Sequence, residues 1–224
     1  SATNYVGMLN ASDIKAIGLV AFARPSGQVI QFTYSLSTSQ WSPDPDITAV
    51  LRERDDATGK FLGWSLYPEM SALREDYDKL GRLIAIDHGN GDVVTMQYNP
   101  GTGRLMSASD SHGRSIQFAF TTTGGVVHVS SIALPDGNAI SYGYASTGQL
   151  GTVTYPAGSG GVSRTRTYGY TSNLLTSLTD EGGALTSSWT YTTDGAVASS
   201  VRGNSSAPIS TYSFQYNSNG SVTT

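Results

Sequence analysis

Residues 77–83 read Tyr-Asp-Lys-Leu-Gly-Arg-Leu. An aromatic residue stands directly before a polar segment that contains a glycine, and an apolar residue follows two positions after that glycine. Tight hairpin turns require a positive φ, which glycine adopts at lower cost than residues that carry a Cβ. The stretch therefore predicts the end of one strand, a tight turn and the start of the next strand.

The same arrangement recurs along the rest of the chain at intervals of little more than twenty residues. We call the residue directly before each turn the anchor. The anchors are Tyr77, Tyr98, Phe120, Tyr144, Tyr170, Tyr191 and Tyr216. Their irregular spacing is typical of a repeat whose loops vary in length, and internal periods of this size indicate repeat architectures.

Bulky residues alternate with small or polar ones in the segment that leads to each anchor, which is the period of a β-strand. The alternating sets are Val94, Met96, Tyr98; Ile116, Phe118, Phe120; Ile140, Tyr142, Tyr144; Arg166, Tyr168, Tyr170; Ser187, Trp189, Tyr191; and Tyr212, Phe214, Tyr216. An earlier set, Ile30, Phe32, Tyr34, has the same form. Each unit is thus predicted to contain two strands and two turns, with one apolar face.

Strands joined by such short loops are antiparallel neighbours, and a ribbon with one apolar face needs a second layer or curvature to cover it. We therefore expect an all-β chain of antiparallel hairpin repeats that form a curved, twisted meander or spiral sheet. Residues 77–224 are predicted to be the repeats, ending partway through a unit as in a fragment of a longer array. Residues 1–76 are predicted to be an irregular leading β-segment, where the spacing of Ile47, Val50 and Leu51 predicts a short helix near 47–54.

Composition excludes several classes of function. The 224 residues carry a net charge of -4 without clustered lysine and arginine, so nucleic acid and anionic lipid are not expected partners. The absence of cysteine excludes disulfides and thiolate metal sites. We predict no membrane span, since no apolar run reaches the roughly 20 residues that a helix needs, and residues 1–10 lack the pattern of a signal peptide.

Residues 77–83 resemble the signature of the tyrosine-aspartate (YD) repeats of RHS proteins, and residues 98–105 resemble it with a one-residue insertion. The other units keep only the anchor, the turn and an apolar strand. The aspartate of the pair is retained at Asp78 and is asparagine at Asn99 and Asn217. The family's Asp-Pro-x-Gly-Leu cleavage signature is absent, so neither the cleavage site nor the toxin is expected within this chain.

The resemblance implies a structural module, part of a β-shell that encloses or presents a C-terminal toxin or effector. Its partners would be the remainder of the repeat array and the enclosed effector, with self-association through open sheet edges as a further expectation. The resemblance also implies a secreted or bacterial cell-surface protein. No catalytic, cofactor or metal site is predicted. The alternatives are a surface module that binds glycan or protein, and a carboxylate-dependent glycoside hydrolase.

Three sets of residues are the candidates for a metal or a catalytic site. His88 and His112 occupy corresponding turns and could bind a metal together with Asp87 or Asp110, although solvated turn residues are the favoured interpretation; His128 is predicted to be an ordinary strand residue. Asp44, Asp46, Asp55 and Asp56 could offer oxygen ligands to calcium, with turn formation favoured. Glu69, Glu75, Asp76 and Asp78 could include the carboxylate pair of a glycosidase.

A fourth candidate is a strip of basic and aromatic side chains, formed by Arg164, Arg166, Tyr168 and Tyr170. Such a strip could bind a single-stranded nucleic acid or a sugar. Two arginines are few for that purpose, and a column of aromatic residues is more often the packed face of a sheet. We therefore expect these rings to be part of the sheet's apolar face.

Overall fold

The computed structural model describes residues 11–68, 72–158, 161–204, 206–217 and 222–223. The described elements are α1 (Ala11–Ile17), β1 (Leu19–Ala23), β2 (Val29–Ser35), β3 (Gln40–Pro43), β4 (Val50–Asp55), β5 (Phe61–Tyr67), β6 (Arg74–Asp78), β7 (Leu83–Asp87), β8 (Val93–Tyr98), β9 (Leu105–Asp110), β10 (Ser115–Thr123), β11 (Val126–Ala133), β12 (Ala139–Tyr144), β13 (Leu150–Tyr155), β14 (Arg164–Thr171), β15 (Leu174–Thr179), β16 (Leu185–Tyr191), β17 (Val197–Asn204), β18 (Ala207–Ser213), β19 (Gln215–Tyr216) and β20 (Val222–Thr223).

The strands form three sheets, and neighbouring strands follow chain order in each. Strands β1–β3 form a small sheet, β4–β18 form an open sheet of 15 strands, and β19 pairs with β20. Every pairing for which a register is given is antiparallel, as in β8 with β9 and β16 with β17. The predicted fold class, an all-β chain of antiparallel hairpins, is confirmed.

The chain divides into two compact units, Ser1–Ser115 and Ile116–Thr224. The first unit holds a two-layer core, because the sheet β1–β3, which we call the cap sheet, packs against the first strands of the long sheet. Phe22 and Phe32 of the cap sheet are fully buried together with Trp64 and Leu66 of β5. The anchor Tyr77 belongs to the same core, and its ring centroid lies 5.0 Å from that of Phe22. The cap sheet therefore covers the anchor face of the first repeat.

The short helix predicted near residues 47–54 is wrong, because β4 runs through Val50–Asp55. Leu51 is buried in the core while Val50 is 45% exposed, so the two residues lie on opposite faces of a strand. Glu53 lies on the same face as Leu51 and accepts a hydrogen bond from Trp41 Nε1 at 2.9 Å. The charged residues of β4 hide its period of two, and the apolar spacing that suggested a helix is coincidental.

The second unit has a different pattern of burial. Of its described apolar residues, only Val153 is fully buried, at 6% exposure. Most of its strand residues are half-buried, including the anchors Tyr144, Tyr170 and Tyr191. Within this unit the sheet is a single layer, so the apolar face that the sequence predicts is not covered by a second layer of the unit itself.

Candidate functional site

Eight of the described turns share one backbone geometry. In each, the first residue donates its N–H to the carbonyl of the residue four positions on, and a glycine three positions on donates back to the first residue. The first residues of these turns are Arg24, Asp56, Asp78, Asp110, Leu134, Ala145, Asp180 and Thr192. The glycine has a positive φ in all of them. This is the turn of a hairpin with a three-residue loop and a glycine bulge, and it occurs at both edges of the meander.

Asp78 shows what the aspartate of the Tyr-Asp pair contributes. Its Oδ1 accepts hydrogen bonds from the backbone N–H groups of Leu80 and Arg82, both at 2.9 Å. Its Oδ2 accepts from Arg82 Nε at 2.7 Å and lies 2.6 Å from Arg82 Nη2. The Arg82 guanidinium in turn lies 4.8 Å from the ring centroid of Tyr98, the next anchor. The aspartate and arginine of the signature therefore tie the turn to the following repeat.

The same side-chain arrangement occurs at turns that have no Tyr-Asp pair. Asp110 Oδ1 accepts from the N–H groups of His112 and Arg114, and Asp110 Oδ2 accepts from Arg114 Nε at 2.6 Å. The hydrogen bond from the Arg114 N–H is the main reason that the pKa of Asp110 lies below its ordinary value. Asp56 and Asp180 accept backbone hydrogen bonds in the same positions. The aspartate thus belongs to the turn, and it is independent of the preceding aromatic.

A β-bulge accompanies every anchor of the long sheet for which a register is given. The pairing shifts between the anchor and the residue before it at Tyr77, Tyr98, Phe120, Tyr144, Tyr170 and Tyr191. The extra residue always lies on the returning strand, as Ile84 does between Leu83 and Ala85. A bulge increases local strand twist and redirects side chains. Each unit therefore carries the same distortion at the same position.

The same shift occurs between Arg54 and Asp55, where Asp55 pairs with Phe61. Residues 55–61 read Asp-Asp-Ala-Thr-Gly-Lys-Phe, which corresponds to residues 77–83 with an aspartate in place of the anchor aromatic. Repeat geometry thus begins one unit earlier than the anchors indicate. The sequence signal of this unit is its turn, Asp-x-x-Gly, because its anchor position holds no aromatic residue.

The anchor tyrosines form a repeated hydrogen bond that no sequence pattern reveals. The hydroxyls of Tyr98, Tyr144, Tyr191 and Tyr216 donate to the carbonyls of Leu83, Val129, Leu175 and Val197 at 2.6–2.9 Å. Each of these carbonyls belongs to the residue that pairs with the preceding anchor. Every tyrosine of this set therefore clamps the bulge of the unit before it.

Replacing Tyr191 with phenylalanine is expected to destabilise the second unit by about 0.5–1.5 kcal/mol, because the substitution removes one hydrogen bond and keeps the ring. Urea denaturation followed by circular dichroism measures the loss. Tyr212→Phe is the matched control, since Tyr212 is 56% exposed and is not an anchor. Equal midpoints for the two variants would contradict a clamping role for the anchor hydroxyl.

A buried ionic cluster joins the cap sheet to the first repeat. The Arg24 guanidinium, directly after β1, donates to both carboxylate oxygens of Glu75 on β6, with Nη2 lying 2.7 Å from Oε1. The Tyr77 hydroxyl donates to Glu75 Oε2 at 2.7 Å. Burial acts to raise the pKa of Glu75, but the hydrogen bonds from Arg24 and Tyr77 and the charge of Arg24 together hold this pKa below its ordinary value. Burial and the Glu75 hydrogen bond raise the pKa of Tyr77.

The lowered pKa of Glu75 predicts a specific loss of stability in acid. At neutral pH the carboxylate is ionised in both folded and unfolded chains, so its contribution to stability is complete. Below the ordinary value of 4.5, the unfolded chain binds a proton before the folded chain does, and the contribution is lost as pH falls through the folded pKa. Wild type should therefore have a larger free energy of unfolding than Glu75→Gln at pH 6, and this difference should shrink as the pH falls to about 3. If the free energies of unfolding of the two proteins, measured by urea denaturation, fell equally between pH 6 and pH 3, the prediction would be contradicted.

The structure brings the two turn histidines near each other at a groove of about 420 Å³. His112 Nε2 lies 3.6 Å from Asp92 Oδ1, and both side chains are largely exposed. Asp110 also lines the groove, but its carboxylate is held by Arg114. Among the described residues, no three His, Asp or Glu side chains are grouped so as to hold a metal ion. His128, on β11, stacks on Tyr144 with ring centroids 4.3 Å apart.

The candidate carboxylates of a glycosidase do not form a pair in the described residues. Glu75 and Asp76 are consecutive on β6 and therefore point to opposite faces. Asp76 accepts from the Ser65 hydroxyl at 2.6 Å and lies 3.3 Å from Arg74 Nε. Asp78 is held by Arg82, and Glu69 lies outside the described residues. A glycosidase needs a carboxyl group that is free to donate a proton to the substrate, whereas each described carboxylate of this set contacts an arginine.

The remaining candidates serve local structure. Asp44 follows β3 and its carbonyl accepts the N–H of Ile47 in a turn, with Asp46 in the same segment. Asp55 occupies the anchor position of β4. The Asp56 carboxylate accepts hydrogen bonds from the backbone N–H groups of Thr58 and Lys60 in its own turn. In the basic and aromatic strip, Arg166 Nη2 lies 2.6 Å from Glu181 Oε1, so that its charge is paired. The strip residues Arg164, Tyr168 and Tyr170 follow along the same strand, β14.

Among the described residues, no helix is both long enough and apolar enough to span a bilayer. A family model described as Teneurin YD-shell matches residues 42–224. Comparison with curated protein sequences finds no match. Similar solved structures include the crystal structures of TcdB2-TccC3-TEV, with 15% identity and a TM-score of 0.42, and of TcdB2-TccC3, with 14% identity and a TM-score of 0.43. Each match covers 91% of this chain but only 14–15% of the other chain.

Proposed function

Because this chain belongs to the Teneurin YD-shell family, we propose that it is a structural section of a β-shell and has no catalytic role of its own. The matched region begins in β3 and includes every strand of the long sheet. The chemistry within that region is devoted to holding turns and bulges: aspartates bind turn amides, arginines bind aspartates, and anchor hydroxyls bind carbonyls. Each of these groups is engaged within the wall itself.

The observation that carries the proposal is the contrast in burial between strands β4–β6 and the later strands of the long sheet. The cap sheet covers the anchor face of β4–β6, where Trp64 and Tyr77 are buried against Phe22. From β7 onward, only Val153 of the described apolar residues is buried. A single-layer sheet with an apolar face is stable only where something else covers that face. A place in a larger enclosing wall supplies such a cover.

The finer part of the proposal concerns what the wall encloses. We propose that the complete protein places this section in a shell that encloses or presents a C-terminal effector, at the cell surface or outside the cell. The chain spans about one seventh of the solved chains that it resembles, as their coverage of 14% shows. The wall would then continue through further repeats, and its partners would be those repeats and the enclosed domain.

Electron cryomicroscopy of the complete gene product that contains this chain tests the proposal. We expect a hollow particle in whose wall the strands of residues 42–224 are continuous with further hairpins. A separate, solvent-surrounded domain that is detached from any shell would overturn the proposal.

A second measurement addresses catalysis directly. The chain is incubated with a panel of plant and bacterial polysaccharides, and reducing ends are quantified over time. No turnover is expected, because Glu75, Asp76 and Asp78 are bound by arginines. Sustained turnover that disappears in Glu75→Gln or Asp78→Asn would show that the section is a hydrolase instead.

A further inference from the structure

The turn that joins β7 to β8 carries an Asn-Gly step at an exposed position. Residues 88–92 read His-Gly-Asn-Gly-Asp, and Asn90 and Gly91 are both exposed. Asparagine followed by glycine is prone to spontaneous deamidation, because glycine has no side chain to hinder the attack of its backbone nitrogen on the asparagine amide carbon. In a folded chain the reaction depends on the groups that hold these two atoms, and the contacts of this turn favour it.

The backbone N–H of Gly91 differs from its counterparts in the regular turns. In the eight turns of shared geometry the corresponding glycine donates to the carbonyl of the first turn residue, as Gly137 does to Leu134 at 3.1 Å. The turn at residues 88–92 retains the hydrogen bond from the His88 N–H to the Asp92 carbonyl at 3.0 Å. Within the described residues, however, the Gly91 N–H meets no acceptor. The Gly91 nitrogen is therefore available to lose its proton and act as a nucleophile.

The Asn90 side chain is held by Asp92 at both of its polar atoms. The Asp92 N–H donates to Asn90 Oδ1 at 3.0 Å, so it stabilises the negative charge that develops on this oxygen when the amide carbon is attacked. Asn90 Nδ2, the nitrogen that leaves, donates to Asp92 Oδ2 at 2.8 Å. The other oxygen of this carboxylate, Oδ1, lies 3.6 Å from His112 Nε2. The Asp92 carboxylate is thus placed to exchange a proton with the leaving nitrogen.

We propose that Asn90 is a site of spontaneous deamidation, in which the Gly91 nitrogen is the nucleophile and the Asp92 carboxylate carries the proton. The Gly91 N–H proton passes to Asp92 as the bond between the Gly91 nitrogen and Asn90 Cγ forms. Asp92 returns this proton to Nδ2 as the Cγ–Nδ2 bond breaks, so that ammonia leaves and a cyclic succinimide remains. Water then adds to either carbonyl of the ring, which gives aspartate or isoaspartate at position 90.

The reaction changes the turn between β7 and β8. A carboxylate oxygen replaces the donor Nδ2, so two negative charges face each other where Asn90 and Asp92 formed a hydrogen bond. Isoaspartate also adds one carbon atom to the backbone of the turn. The modified chain is therefore more acidic by one charge, and its β7–β8 hairpin is less tightly closed. The modification concerns the wall itself and is independent of what the shell encloses.

The test is incubation of the folded 224-residue chain in mildly alkaline buffer, followed by anion-exchange chromatography and peptide mass spectrometry. We expect a more acidic form to accumulate, in which the peptide containing position 90 has lost ammonia and gained water. Asn219, in the chain's other Asn-Gly step, lies outside the described residues and is measured in a separate peptide. Asp92→Asn keeps the shape of the side chain but cannot carry the proton. It should slow the conversion of Asn90 at least about tenfold, a lower bound for the loss of a general acid–base group.

The turn at Asp136 supplies the matched control, because it has the same side-chain contacts with the two residue types exchanged. The Asn138 N–H and Nδ2 donate to Asp136 Oδ1 and Oδ2 at 3.0 and 2.8 Å, but the Gly137 N–H is bound within the turn. The double substitution Asp136→Asn, Asn138→Asp therefore creates an Asn-Gly-Asp turn whose glycine N–H is occupied, and the asparagine introduced at position 136 should convert more slowly than Asn90. The proposal is overturned if Asn90 stays unmodified in the folded chain, if it converts no faster than that asparagine, or if Asp92→Asn leaves its rate unchanged.

Discussion

Replacing Gly63 with alanine should prevent the first unit from folding stably. Gly63 lies on β5 opposite Asp78, has a φ of 144°, and follows the bulge residue of its hairpin. A Cβ at this position would lie 2.0 Å from the Tyr77 carbonyl oxygen and 2.7 Å from the Asp78 carbonyl carbon. Both atoms are backbone, so relief requires the separation of β5 from β6. The expected destabilisation exceeds about 4 kcal/mol, beyond the range of ordinary substitutions.

Gly27→Ala is the matched control for this prediction. Gly27 also has a positive φ, 87°, but an added Cβ would meet no atom within 4 Å. Its expected cost is therefore only the strain of the left-handed conformation, about 1–2 kcal/mol. Fluorescence of Trp41 and Trp64 during urea denaturation, in a Trp189→Phe background, reports on the first unit. Similar midpoints for the two glycine variants would show that β5 and β6 tolerate the added Cβ.

Replacing Glu75 with alanine should have the next largest effect, a loss of about 3–5 kcal/mol, since it leaves the charge of Arg24 buried without a partner. Glu75 is 7% exposed, and the Arg24 side chain is 18% exposed. The Tyr77 hydroxyl would lose its acceptor at the same time. The joint substitution of Arg24 by methionine and Glu75 by leucine should recover much of the loss, because apolar side chains need no counter-charge.

Glu181→Ala provides the comparison for Glu75→Ala, because Arg166 and Glu181 form an equally short pair that is more exposed. Exposed ion pairs contribute little to stability, since water already solvates both charges. The Glu181 variant should therefore unfold at nearly the wild-type urea concentration. If Glu75→Ala did the same, the ion pair would not be what holds the cap sheet to the repeats.

The local parts of the fold follow from sequence, because strands and turns are short-range features. The alternation at Val94, Met96 and Tyr98 predicts a strand, and the structure leaves Thr95 and Gln97 exposed between half-buried neighbours. Glycine spacing likewise predicts the turns. The spacing of the anchors does not predict the unit at Asp55, because its anchor position holds no aromatic, although its turn has the same backbone hydrogen bonds as the Tyr-Asp turn.

Long-range features could not be predicted from one sequence. Arg24 and Glu75 lie 51 residues apart, and their pairing depends on how the cap sheet docks. The hydroxyl clamps depend on the bulges, since these bring each tyrosine to the carbonyl opposite the preceding anchor. Residue type alone suggests candidate sites at His88, Asp44 and Glu75. It does not reveal that most of the carboxylates in these sets are already bound by arginines or by the backbone N–H groups of turns.

The turn that follows Tyr98 shows how a repeat of this kind can accept insertions. It is longer than the turns that follow the other anchors of the long sheet, yet the Asn99 N–H still donates to the Arg104 carbonyl at 2.8 Å, and Tyr98 still pairs with Leu105. The added length is confined to the loop, so the register of both strands is preserved. Foreign peptides, such as an epitope tag placed between Gly101 and Thr102, should therefore be displayed at this edge without altering the strands, which makes the array a scaffold for engineering.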